Sequence, residues 1–216
     1  MLNEMRFGRL SQMSIAAFKA LARPLEYDDG IEPTVLFPRR EDVDRANTTK
    51  LQALNGDGWS YGSVDGGAVT DPTQRAKLLA NFMAPETLFL KTHAQVMLIK
   101  NLDETLVNGS MGKVMGFEYR DTYVVGRYDE WLENGIPEEI EGDEADNKRI
   151  QRTLAIQKLR SGGQKPNPVV RFKVPGGNGN MTRDLLVEAD SFKAELPNGE
   201  VQASRLQVRF TVSFLT

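Results

Sequence analysis

The chain has 216 residues, 40% of them hydrophobic and 26% charged, with a formal net charge of −3. These are ordinary proportions for a globular protein, and the length suffices for one large domain or two small ones. It has no cysteine and a single histidine, His93, which excludes disulfides, zinc-thiolate sites, cysteine nucleophiles and multi-histidine metal sites.

Ser11 is a good helix N-cap. It opens a short amphipathic helix that carries Ile15, Phe18 and Leu21 and ends before Pro24. "PLEYDDGIEPT" then reads as a loop turning at Asp-Asp-Gly. "TVLFP" predicts a short buried strand stopped by Pro38. "RREDVDRANTTKLQAL" predicts a helix with Val43, Ala46, Leu51 and Leu54 roughly on one side, closed by "NGDG". A strand leading into a helix through a Pro-Arg-Arg corner is an α/β unit. "WSYGSV" predicts another strand, and Asp71-Pro72 an N-cap and first-turn pair for a helix to about Phe82.

From Thr87 the periodicity changes. "TLFLK", "AQVMLIK", "GKVMGF" and "DTYVVGRY" are short, β-rich runs separated by turn residues, which is the pattern of a small barrel or meander. Between Asp129 and Asp146 lie nine acids and no base, leaving 21 acids against 27 bases elsewhere. That acidic stretch repels itself and predicts a solvated loop. "NKRIQRTLAIQKLRSGG" predicts a helix closed by Gly162. "NPVVRFKV", "RDLLVEA", "SFKAEL" and "EVQASRLQVRF" return to strands, turning at "PGGNGN" and "PNG".

No run approaches the ~20 apolar residues of a membrane span, and "MLNEMRFGRL" lacks the apolar core of a secretory signal. "PGGNGNMTR" contains no G-x-x-x-x-G-K-[ST] and lies between strand-like runs, so it predicts a hairpin tip and not a phosphate cradle. No calcium loop and no nucleophile elbow is present. Two segments can face a polyanion. One is the hairpin "AQVMLIKNLDETLVNGSMGKVMGF", whose Lys100, Asn108 and Lys113 can project from the loops to phosphate or sugar. The other is "FPRREDVDRAN", where Arg39 and Arg40 sit beside a helix N-terminus. Each also has a purely structural reading, a plain Asn-Gly hairpin and two arginines solvated or paired with Glu41, Asp42 and Asp44.

"VMLIKNLDETLVNGSMGKVMGF" resembles the signature of the petite integration frequency (PIF) family of DNA helicases, particularly its fungal members. The resemblance runs through "MLNEMRFGRLS", "ARPLEYDDGIEPTVLFPRREDVDRAN", "LLANFMAPETLFLKTHAQVML", "PVVRF" and "LLVEADSFKAELPNGEVQASRLQV", most of the chain. It implies an α+β fold. Residues 1–85 would be part of the second RecA-like motor domain. Residues 86–208 would form a small Src-homology-three-like β-barrel, domain 2B, with an acidic and helical insertion at about 127–165. Residues 209–216, "RFTVSFLT", depart from the family pattern and are expected as a divergent tail. His93 stands where the family has glycine.

The resemblance implies ATP-driven 5′-to-3′ unwinding of DNA in replication, repair, recombination or telomere maintenance, with ATP and magnesium as cofactors of the family. It implies single-stranded DNA as partner, the other motor domain of a full-length helicase as a second partner, and residence in the nucleus and/or mitochondrion. The DNA-facing positions it implies are Lys100, Asn108, Gly109 and Lys113, then Arg39, Arg40 and Asn47. The family's Walker A lysine, Walker B acids and phosphate-reaching arginine have no counterpart here. The chain alone is therefore expected to hold no cofactor and to hydrolyse no ATP. A stand-alone single-strand-binding or protein-interaction module, and a remnant without function, are the competing readings.

Overall fold

The computed structural model describes residues 2–22, 31, 33–123, 143–174 and 181–213. The turns expected at Asp-Asp-Gly and "PGGNGN", the strand expected beyond Tyr123 and most of the acidic stretch lie outside them. The chain divides into two compact units, Met1–Gly30 and Ile31–Thr216.

In the first unit, helix α1 (Leu2–Arg6) precedes helix α2 (Gln12–Ala20). Ser11 caps α2 as its sequence predicts, because its Oγ accepts the Ser14 backbone N–H at 3.2 Å. The Ser11 N–H donates to Glu4 Oε2 at 2.8 Å, and that bond, first among several, holds the Glu4 carboxyl at about 2.

In the second unit, helix α3 (Arg40–Ala53) buries Leu51. Its last carbonyls are met by a cation, Lys91 Nζ donating to Leu54 O at 2.8 Å. The buried strand expected from "TVLFP" shrinks to a single bridge residue, Val35. Val35 is 50% exposed and Leu36 82%, because no ladder extends along them among the described residues. Helix α4 (Pro72–Ala80) starts as predicted, with Asp71 Oδ1 accepting the Gln74 N–H at 2.7 Å.

The strands are β1 (Gly58–Gly62), β2 (Val64–Gly66), β3 (Thr87–Lys91), β4 (Gln95–Leu98) and β5 (Met111–Glu118). They continue with β6 (Asn167–Lys173), β7 (Thr182–Leu186), β8 (Ala189–Glu195), β9 (Val201–Val208) and β10 (Phe210–Val212). Among the described residues these strands pair antiparallel and make three sheets. One is β1-β3, one runs β10-β4-β5-β6-β7, and one runs β2-β9-β8. Among the described residues four short chain runs pass from one sheet into another, at Ser63, at Thr92–Ala94, at Val187–Glu188 and at Arg209. The ladders do not close into one ring among the described residues. β1 and β2 precede residue 85 yet pair with β3 and β9.

The core gathers one face of each sheet. Leu90, Val96, Leu98, Leu106, Val114, Val170, Phe172 and Phe210 are fully buried. Phe210 lies in the segment expected as a tail. That segment instead supplies β10, because its alternation lets Phe210 face the core while its backbone pairs with β4. Helix α5 (Asp143–Ser161) begins within the acidic stretch, so Asp143–Asp146 are its first turn and not the end of a loop. Arg152 Nη2 on α5 donates to Glu118 Oε1 at 2.8 Å, tying the helix to the end of β5.

A candidate nucleic-acid interface

The connection from β4 to β5 is built from backbone bonds that leave little freedom. Leu98 and Ser110 pair at 2.9 Å, and Gly109 N–H donates to Leu98 O at 2.8 Å. Ser110 N–H then closes a turn on Val107 O at 2.9 Å, with Gly109 at its third position and φ +93°. A Cβ at Gly109 would meet open space, so this glycine is required by its dihedral and not by crowding. Asn108 N–H donates to Asn101 Oδ1 at 2.7 Å, which closes the base of the tip.

Asp103 organises the other half of the connection. Its Oδ1 accepts from Thr105 Oγ1 at 2.7 Å, Thr105 N at 2.9 Å and Leu106 N at 3.0 Å, and Arg183 pairs with its second oxygen at 2.5 Å. These donors, the Thr105 hydroxyl first, hold the Asp103 carboxyl well below the usual carboxylate range. Leu106 beside it is fully buried and pins the loop to the core. Nothing in local sequence spacing announces the Arg183 partner, which is 80 residues away.

The four hairpin positions named from the resemblance do share one element, but their situations differ. Asn108 and Gly109 sit exposed at the tip. Lys113 lies half-buried on β5, opposite Gln95 and Arg171. Lys100 is held: its Nζ lies 2.5 Å from Asp190 Oδ2, donates to Ser191 O at 2.8 Å and stands 5.5 Å from the Phe192 ring centroid. Arg209 Nε, 3.2 Å from the same Asp190 oxygen, completes that cluster. Burial penalises the Asp190 charge, yet its bonds from Lys100 and Ser191 win and its carboxyl lies below the ordinary value.

Arg39, Arg40 and Asn47 belong to α3. Arg39 is the N-cap residue without a side-chain cap bond, Arg40 is the first helical residue, and both are exposed. Among the described residues neither forms an ion pair with Glu41, Asp42 or Asp44. Asp42 is instead 4.0 Å from Arg45. Asn47 is half-buried. Among aromatic residues, Tyr61 and Tyr119 are buried, Tyr123 and Trp59 half-buried, and Phe89 is exposed at 43%.

A family model described as "DNA helicase Pif1, 2B domain" matches residues 75–117, the stretch from within α4 through the whole hairpin. The chain is 42% identical over 221 aligned residues to an ATP-dependent DNA helicase PIF1 of Emericella nidulans. That alignment covers 96% of this chain and 28% of the relative. The chain belongs to the Pif1 helicase family. A second relative, the PIF1 helicase of Candida albicans, is 32% identical, with 96% of this chain and 27% of the relative covered. The crystal structure of Pif1 helicase from Candida albicans matches the whole of this chain with a TM-score of 0.69 at 34% identity, and 42% of that chain is covered. The chain thus spans about a quarter of the length of the curated Pif1 relatives it matches. The Pif1 resemblance and the mixed helix-and-strand fold are both borne out. His93, which stands where the family has glycine, has a left-handed backbone with φ +71°.

Proposed function

We propose that this chain is the portion of an ATP-dependent 5′-to-3′ DNA helicase that grips single-stranded DNA. Residues 1–85 supply part of the second RecA-like domain. Residues 86–208 supply a barrel-like 2B module that carries the α5 insertion at about 127–165. The observation that carries the reading is the rigid β4–β5 hairpin, which lies inside the matched 2B stretch and presents Asn108, Gly109 and Lys113. Asn108 and the Gly109 backbone meet sugar and phosphate at the tip, and Lys113 adds a charge along β5. Such contacts set register without reading sequence. Arg39 and Arg40 offer two further cations where α3 begins, a place suited to phosphate. Lys100 braces the hairpin from beneath through Asp190.

Neither a phosphate cradle in the sequence nor, among the described residues, a metal-holding cluster fits ATP and magnesium. The 216 residues hold no G-x-x-x-x-G-K-[ST] cradle. Among the described residues, no group of three or more Asp, Glu or His side chains could hold a metal ion. Hydrolysis therefore belongs to a partner motor domain, and none of its steps is assigned to this chain. The wider setting is nuclear and/or mitochondrial DNA repair, recombination and telomere maintenance. Among the described residues no helix is long and apolar enough to cross a membrane.

Fluorescence anisotropy with a labelled oligo(dT), joined to an ATP-turnover assay, tests the reading. Binding that weakens steeply with salt, and no DNA-dependent ATP turnover, are expected. Absence of binding at low salt, or sustained turnover by the purified chain, would contradict it.

A further inference from the structure

Two adjoining grooves share Asp57, Trp59 and Arg160. One continues over Gln164 and Lys165 at the end of α5, the other along Met115 and Phe117 of β5. Trp59 is half-buried on β1, where it packs against the core and also lines both grooves. Arg160 is exposed and forms no ion pair among the described residues. Lys165 is exposed as well, and among the described residues its Nζ meets a neutral partner, Ser60 O at 2.8 Å. Of the two acids present, Glu118 is matched by Arg152 at 2.8 Å, which leaves Asp57 alone against the two cations. Lys113 lies two residues before Met115 on the same strand.

An indole flanked by two cations that outnumber the one unmatched acid, beside an exposed amide, matches one unit of a nucleic-acid strand. The base can stack on the ring and the phosphates can meet the cations. We infer that the Trp59–Arg160–Lys165 groove is a second binding site for single-stranded nucleic acid, one nucleotide stacking on Trp59 with its flanking phosphates on Arg160 and Lys165. Asp57, in the same grooves, opposes the phosphates. The inference rests on the DNA-gripping reading above and adds to it a stacking point, which the hairpin does not provide. The α5 insertion then contributes directly to the strand's path.

The chain contains two tryptophans, Trp59 and Trp131, so Trp131→Phe leaves Trp59 as sole reporter. Titrating that full-length protein with oligo(dT) is expected to quench its emission in step with the anisotropy change. Arg160→Ala and Lys165→Ala should each lower the salt slope of binding by about 0.7, the value for one phosphate contact on a single strand. The affinity lost between about 50 and about 200 mM salt then shrinks two- to threefold per variant. Asp57→Asn, whose side chain makes no hydrogen bond among the described residues, should tighten binding. Binding by anisotropy with unquenched Trp59 and unchanged slopes would overturn this site while leaving the hairpin reading intact. No binding by either readout would overturn both.

Discussion

His93 occupies the third position of the Lys91–Ala94 turn, closed by Ala94 N–H donating to Lys91 O at 3.0 Å, with φ +71°. A side chain in that region costs about 1–2 kcal/mol. Glycine would remove the cost but return roughly 0.4–1 kcal/mol through its freer unfolded chain. His93→Gly is therefore expected to stabilise by up to about 1 kcal/mol, read as a higher urea midpoint. A lower midpoint would contradict the strain. Two glycines of the hairpin should respond differently to alanine. A Cβ at Gly112 would lie 2.7 Å from both Phe172 Cδ1 and Val170 Cγ1 and 2.9 Å from Arg171 O, so overpacking should cost about 1–3 kcal/mol. Gly109→Ala meets no atoms and only its dihedral resists, at about 1 kcal/mol. The reverse ranking in denaturant unfolding would show that the β5–β6 contact is looser than described. The glycines were visible in the sequence as turn and strand residues. Which one is crowded and which one is twisted depends on Phe172 and Val170, strand partners far along the chain.

At the level of elements, long-range polar pairs join strands that sequence spacing leaves unconnected. Arg205 on β9 is 8% exposed. It makes two 2.8 Å bonds to Asp65 on β2 and donates from Nη1 to Ala84 O at 3.0 Å. Gln207 next along β9 donates to Tyr61 O and Pro85 O, each at 3.1 Å. Asp65→Asn would leave the guanidinium without its counter-charge, and about 3 kcal/mol of stability should be lost.

The same carboxylates set the acid sensitivity. Asp65 is lowered chiefly by the Arg205 bonds, and Asp103 chiefly by the Thr105 hydroxyl. In the unfolded chain both titrate near about 3.9. Their stabilisation is therefore complete above that value and is lost as pH falls through it toward their lower folded values. Urea midpoints should hold from neutrality to about pH 5 and then drop, with a smaller drop in Asp103→Asn. A parent protein whose midpoint is flat down to about pH 3 would refute the role of these pairs. β10 provides a further check. Phe210 is fully buried, so Phe210→Ala should cost about 3–5 kcal/mol, whereas a dispensable tail would cost nothing.

For the whole molecule, local signals carried the elements and long-range pairing carried the arrangement. Ser11, the Asp71-Pro72 pair and the Gly109 turn marked helix starts and a hairpin correctly because capping and turn chemistry are complete within a few residues. The burial of Phe210 and the pairing of β1 and β2 with later strands were illegible, since each depends on what lies across a sheet. The candidate interface divides in the same way. The Asn-Gly pattern placed Asn108 and Gly109 at a hairpin tip, whereas Lys113, expected to project from a loop, lies half-buried within β5. The engagement of Lys100 by Asp190, Ser191 and Phe192 needed the fold, with 91 residues separating Lys100 from Ser191. So did the meeting of Trp59 with Arg160 and Lys165.

The most direct test of the DNA-gripping reading is the salt slope of oligo(dT) binding for the parent, Lys113→Gln and the Arg39→Ala/Arg40→Ala pair. Each phosphate contact removed should lower the slope by about 0.7 and weaken binding alike for all sequences. Slopes that match the parent in every variant would contradict a phosphate grip at the hairpin and at the start of α3.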